Sequence, residues 1–459
     1  MAEETLSEQL SCRLAELRFD QIPHDVVDAA KLHVLDSLGC VLAGSRLEPG
    51  KLAYNLAVAT SGDGANHHAT LFGTASRVSY LDAVQAMATA AHCGEMDDIH
   101  GGAATCIGAM VIPALIAMAE KYGGGGRGFL EATIAGYETI ARVGLCIDAP
   151  KLFACGWWPS TVCGAFGVAA AGAKFLGWPV DKTVNAIGIA SLHAGGMLTG
   201  GNEGATARHL AFGRAAQNGI LALLATEQGL IGPKRAFEDS RGFCLTLCAE
   251  PRCEFLQSFD KFYLPEVAFK PYPCARQLHA GVEALLKVIE QHWIDSAAIE
   301  TIDLAVPTQN ANMVDHPTMP ASRAATLGSG QYVMAVTALR GKIDLASFED
   351  EYLGSEQVKQ LMAKVKVSAG AELDRHFPKY WPGRVTIKLR GGLIYSEQII
   401  IPKGESENPM SAAEVEDKFL SLAAPVLGDE KARAVVEDVK ALDARESLEP
   451  VVMALRLPA

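Results

Sequence analysis

The chain has 459 residues, more than one hydrophobic core usually serves, so two domains are expected. With 49% hydrophobic and 20% charged residues it is not a disordered chain. A formal charge of −13 and the lack of any lysine- or arginine-rich run argue against a nucleic-acid partner, while a few buried cations in a cleft still leave room for an anionic substrate.

The opening MAEETLSEQL is acidic and amphipathic, unlike a secretory signal. The apolar stretch 107–119 contains Pro113 and is too short for a bilayer, so a cytoplasmic protein with no membrane partner is expected. Eleven cysteines, an odd number scattered through a long chain, read as reduced thiols rather than a disulfide framework. Cys244, Cys248 and Cys253 fit no common zinc spacing. From residue 6 to about 256 the pattern is helical, with Ala, Leu, Ile and Met at helical spacing in 26–43, 80–91, 108–121 and 128–143. Several of these are apolar on nearly every face, as helices inside a large bundle or at an interface are. The glycine run 123–126 follows no strand and reads as a loop, not a nucleotide-binding turn. Small residues crowd 162–173 and 205–219, a device for close helix packing. Pro265, Pro271 and Pro273 then mark an extended connection. Beyond it, 299–306 and, more weakly, 365–367 alternate like strands, and 385–389 with 393–401 flank Gly391-Gly392 as a hairpin. Residues 331–339 and 357–364 read as helices, and helical periodicity returns at 412–422 and 430–442. The expected fold class is mainly α: a large all-α domain formed by both chain ends, 1–264 and 406–459, with a smaller α+β lid inserted at 265–405.

Four segments offer chemistry. His92-Cys-Gly-Glu95-Met-Asp97-Asp98-Ile-His100-Gly-Gly joins two apolar helices and supplies three carboxylates and two imidazoles for acid–base work. Solvated capping charges would look similar, and without HExxH-type spacing no metal is expected. In Lys270-Pro-Tyr-Pro-Cys274 two prolines fix an extended path that aims the lysine. Arg208, in a small-residue stretch ending Gly213-Arg-Ala-Ala, is a possible bidentate carboxylate clamp or a salt-bridge partner. Tyr332, after Ser322-Arg-Ala-Ala-Thr-Leu-Gly-Ser-Gly-Gln331, is a possible proton donor or a core tyrosine. There is no GxSxG elbow, P-loop or paired CxxC, so hydrolase, nucleotidase and zinc-ribbon readings lack support.

In order, these segments, with Gly108-Ala…Pro113 and Gly156-Trp-Trp-Pro159…Gly164, resemble the MmgE/PrpD family of 2-methylcitrate dehydratases, cis-aconitate decarboxylases and iminodisuccinate epimerases. The resemblance runs over essentially the whole chain. It implies an all-α domain built from both ends, an α+β lid and a homodimer. It also implies proton transfer next to a carboxylate of a small organic acid, with no cofactor. Lys270 and Tyr332 match family site positions, and Asp97 and Asp98 match the acidic pair. Glu95 stands where decarboxylase-like members have aspartate, and Arg208 where many have lysine. Family histidines are replaced by Thr105, Trp158 and Ala275, with His279 one helical turn beyond the last. The resemblance thus implies a dehydratase- or decarboxylase-type lyase, with an epimerase, or a binding protein with a degenerate site, as alternatives. Lys270, Tyr332, Glu95 and His100 are the expected catalytic residues, and Asp97, Arg208 and Trp158 the expected substrate-binding residues.

Overall fold

Two separate hydrophobic cores organise the computed structural model, which describes residues 4–62, 67–200 and 203–458. The larger core runs from Leu6 to Ala268 and takes in Phe419 through Leu455 from the far end of the chain. The smaller core gathers residues between Cys274 and Ile399. The fold is therefore mainly α with an inserted α+β region.

The helical body centres on Tyr80–Cys93, Gly108–Tyr122, Gly126–Cys146, Pro159–Phe175 and Leu210–Glu227, which pack against one another. Gly108–Tyr122 is buried without a break from Gly108 to Ala119, as its all-round apolar sequence requires. Small residues act as the packing device expected of them. A Cβ added at Gly213 would stand 2.2 Å from the Gln85 carbonyl oxygen and 2.4 Å from Thr89 Oγ1, so two helices meet there at backbone contact. The stretch 205–219 is not one helix, however. Thr206–His209 forms a 3-10 turn and the α-helix begins at Leu210, so Arg208 precedes the helix. At the far end, Ala412–Leu427 opens with a Ser411/Glu414 capping box and lies along His24–Gly44.

In the smaller unit a four-stranded sheet runs in the order Val365–Ala369, Ile299–Val306, Gly383–Leu389, Ile394–Ile399. The first pair is parallel and the others antiparallel, the last being the hairpin read from Gly391-Gly392. The helices His279–His292 and Gly330–Arg340 pack with this unit. In the connection between the cores Pro265 lies in the 3-10 turn Leu264–Glu266, and beyond it Val267–Ala268 is extended and runs antiparallel to Ile99–His100. That pairing brings Lys270 beside the acidic segment. Among the described residues, no helix is long and apolar enough to cross a membrane.

Candidate active site

The acidic segment is where helix Tyr80–Cys93 ends and the chain turns toward Gly108–Tyr122. Its three carboxylates take different tasks. Asp98 is fully buried and accepts the backbone N–H groups of Ile107 at 3.1 Å and Gly108 at 2.8 Å, securing the start of the next helix. Its other oxygen accepts the Tyr137 hydroxyl at 2.6 Å and stands 2.9 Å from His33 Nδ1. Asp98 is thus structural.

Glu95 and Asp97 turn instead to cations from distant parts of the chain. Glu95 sits at a φ of 52°, a conformation uncommon for a residue with a side chain. Its Oε1 accepts from Arg208 Nη2 at 2.8 Å, and its Oε2 lies 3.5 Å from Lys270 Nζ. Burial opposes ionisation of Glu95, but His92, Lys270 and Arg208 outweigh it and hold the carboxyl well below the usual range. Lys270 is 1% exposed, and its ammonium stands 3.5 Å from Asp97 Oδ1 and 3.7 Å from Cys106 Sγ. Burial opposes its charge, but Asp97, Cys106 and Glu95 outweigh that and push its pKa up. His92 completes the group. Its Nδ1 lies 2.9 Å from Asp97 Oδ2, its ring stacks on Phe212 at 3.6 Å between centroids, and its buried Nε2 has no hydrogen-bond partner. Nε2 also lies 3.6 Å from Glu95 Oε1, and the tautomer that donates Nδ1–H to Asp97 would leave Nε2 free to act as a base.

These groups border a cavity of about 140 Å³ lined by residues from both cores, including Glu95, Arg208, Lys270, Arg276 and His316. A larger cleft of about 1010 Å³, between Asp148 and Arg252, lacks this convergence of buried charges; Lys151 there is an exposed partner of Asp148. One ligand atom each from His92, Asp97 and Cys106 lie within 4.8 Å of one another, a set that could hold a metal ion. The Lys270 ammonium stands against two of them, Asp97 and Cys106.

Of the residues singled out in the sequence, Glu95, Arg208, Lys270 and Trp158 line the cavity. Asp97 touches Lys270 and His92 from behind. The Arg208 guanidinium also faces the Trp158 ring at 5.5 Å. Tyr332 and His100 are not brought to the cavity wall. The Tyr332 hydroxyl, fully buried in the smaller core, donates to the Ser347 carbonyl at 3.0 Å. His100 accepts the Ala103 N–H at 3.0 Å and has Glu266 at 3.9 Å; burial lowers its pKa to about 4. His279 is likewise turned inward, 3.1 Å from the Cys274 carbonyl. Ala275 lines the cavity where the resemblance implies histidine. Sequence reasoning missed His92 as a base partnered by Asp97, and missed Arg276, His316 and Trp381 on the wall. The five-residue step from His92 to Asp97 was the one available signal.

Two family models match the chain: the MmgE/PrpD N-terminal domain over residues 8–256 and the MmgE/PrpD C-terminal domain over residues 272–443. A cis-aconitate decarboxylase-like protein of Aspergillus oryzae is 27% identical, over 94% of this chain and 93% of that protein. The cis-aconitate decarboxylases of Aspergillus terreus and Homo sapiens are each 26% identical, over 97% and 99% of this chain and 94% and 95% of their own lengths.

Proposed function

The chain belongs to the MmgE/PrpD family, and from that membership we propose a lyase that moves a proton next to a carboxylate of a small organic acid without a cofactor. The relatives' decarboxylase activity supports the reaction class. The observation that carries the reading is Lys270, a buried ammonium between Glu95 and Asp97 on the wall of a cavity that Arg208 also lines.

Arg208 and Lys270 receive a substrate carboxylate, and their charge stabilises the enediolate that forms when the adjacent carbon loses a proton or CO2. His92 Nε2 takes the proton, with Asp97 fixing its tautomer through the 2.9 Å contact at Nδ1. Lys270 delivers a proton to the departing hydroxyl in a dehydration, or to the carbanion after CO2 leaves. Glu95 holds both cations in place. The proton roles expected of Tyr332 and His100 pass to Lys270 and His92, because the first pair does not line the cavity. Replacement of family imidazoles by Trp158 and Ala275 favours a substrate other than cis-aconitate.

The test is proton NMR in D2O with single enantiomers of four- to six-carbon hydroxy acids and unsaturated acids, using chelator-treated, desalted protein. A new alkenyl signal or released CO2, lost in Lys270→Met, is expected. Solvent deuterium with inversion and no new double bond would replace elimination by epimerisation. No change in any acid with folded protein would sink the lyase reading.

A further inference from the structure

His92, Asp97 and Cys106 do not have the sequence spacing of a common metal motif, yet the turn after helix Tyr80–Cys93 folds them onto one another. One ligand atom from each lies within 4.8 Å of the others. All three are buried: His92 is 2% exposed, Asp97 0% and Cys106 5%. Neither His92 Nε2 nor Asp97 Oδ1 has a hydrogen-bond partner among the described residues. Buried polar atoms left in this way are rare and call for an explanation. An imidazole nitrogen, a carboxylate oxygen and a sulfur make the mixed donor set of zinc, whereas magnesium and calcium take oxygen. His92 and Cys106 also line the cavity, so the fourth position of a tetrahedral ion opens toward it. The Lys270 ammonium faces the same ground, 3.5 Å from Asp97 Oδ1 and 3.7 Å from Cys106 Sγ. It is carried on a flexible four-carbon stem, and with Glu95 Oε2 also at 3.5 Å it has a second carboxylate to turn to.

We propose that His92, Asp97 and Cys106 form a site for a zinc-class divalent cation, and that the ion, by displacing Lys270 from Asp97 and Cys106, switches the lyase off. The site rests on the three side chains; the switch rests on the lyase reading above. On binding, the Cys106 thiol gives its proton to water as the metal–sulfur bond forms, and no electron changes hands. The ion then holds the imidazole assigned as the base and repels the ammonium assigned as the acid, so both proton carriers are lost together.

The experiment titrates the reduced, chelator-treated full chain with Zn2+ against a chromophoric chelator, and with Co2+ followed by absorption. One ion per chain and a thiolate-to-cobalt charge-transfer band are expected. Cys106→Ser should abolish the band and, like Asp97→Asn, weaken Zn2+ by roughly 100-fold or more, beyond what loss of a supporting residue costs. Lys270→Met should instead tighten Zn2+ by roughly 10-fold, because the competing cation is gone. Cys244→Ser is the control for the other close thiol pair, Cys146 and Cys244 at 3.6 Å, and should change neither readout. Each variant is checked for an unchanged circular dichroism spectrum. No binding, or a band that survives Cys106→Ser or vanishes in Cys244→Ser, overturns the site and leaves the lyase reading standing. Bound Zn2+ that leaves turnover of an acid substrate unchanged overturns the switch. If the metal-free protein turns over no acid, the lyase reading and the switch fall together, and the band still decides the site.

Discussion

Glu95 combines an uncommon backbone conformation with a carboxylate shared between Arg208 and Lys270, the kind of local strain that surrounding contacts must over-determine. Neighbouring side chains behave quite differently under substitution. Lys270→Met is expected to lower turnover by about 1000-fold, because the charge facing the developing anion is gone. Tyr332→Phe should lose only about 1 kcal/mol of stability with the hydrogen bond to Ser347 and keep turnover within a few-fold. Steady-state kinetics beside denaturant unfolding separates the two, and a Tyr332→Phe enzyme as dead as Lys270→Met would return the tyrosine to the chemistry. His100 supplies a pH signature. Burial lowers its pKa from 6.5 to about 4, so the unfolded chain binds the extra proton first as pH falls. Its contribution is full above pH 6.5 and is lost on descending toward 4, and His100→Gln should flatten the unfolding midpoint across that window. At this scale the sequence was half legible. Residue types marked Glu95, Arg208 and Lys270, but Arg208 and Lys270 meet Glu95 across 113 and 175 positions, a distance no local pattern spans. For His100 and Tyr332, residue type does not tell whether the polar atom faces a cavity or a backbone group.

Helices were the most legible elements, since burial on every face leaves an unbroken apolar record, as between Gly108 and Ala119. Their ends were less so. The 3-10 turn Thr206–His209 and the α-helix from Leu210 share one small-residue stretch, so composition does not mark the boundary between them. Backbone contact at Gly213 holds the helix that follows Arg208 against Tyr80–Cys93. Gly213→Ala, with its new methyl 2.2 Å from the Gln85 carbonyl, should cost about 1–3 kcal/mol and raise KM as the helices part. Thermal unfolding and substrate saturation curves check both effects, and an unperturbed melting temperature would mean that the helices have slack. The sheet was legible as strands but not as an order. Alternation in 299–306 does not reveal that Ile299–Val306 takes a parallel neighbour on one side and an antiparallel one on the other.

Across the whole molecule, the helix Ala412–Leu427 reaches back to brace the acidic segment. Lys418 Nζ donates to the Met96 carbonyl at 2.6 Å and lies 2.5 Å from Asp36 Oδ1, although Lys418 is only 7% exposed. Lys418→Met would leave Asp36 buried without its cation, an expected loss of about 3–5 kcal/mol, and would loosen the turn that carries Glu95. Calorimetric unfolding would report it, and a loss below about 1 kcal/mol would show that the pair is solvated after all. The same arrangement has a consequence for birth on the ribosome. Phe419 and Leu422 seat against Gly39, so one face of helix His24–Gly44 stays bare while the whole inserted unit is being translated. The inserted core can close first although it is made second, and the core begun first must wait. Nascent chains with residues 1–405 outside the ribosome but the C-terminal helices not yet emerged should therefore show a protease-resistant inserted unit beside a digestible amino-terminal half, the reverse of the usual order of cotranslational folding.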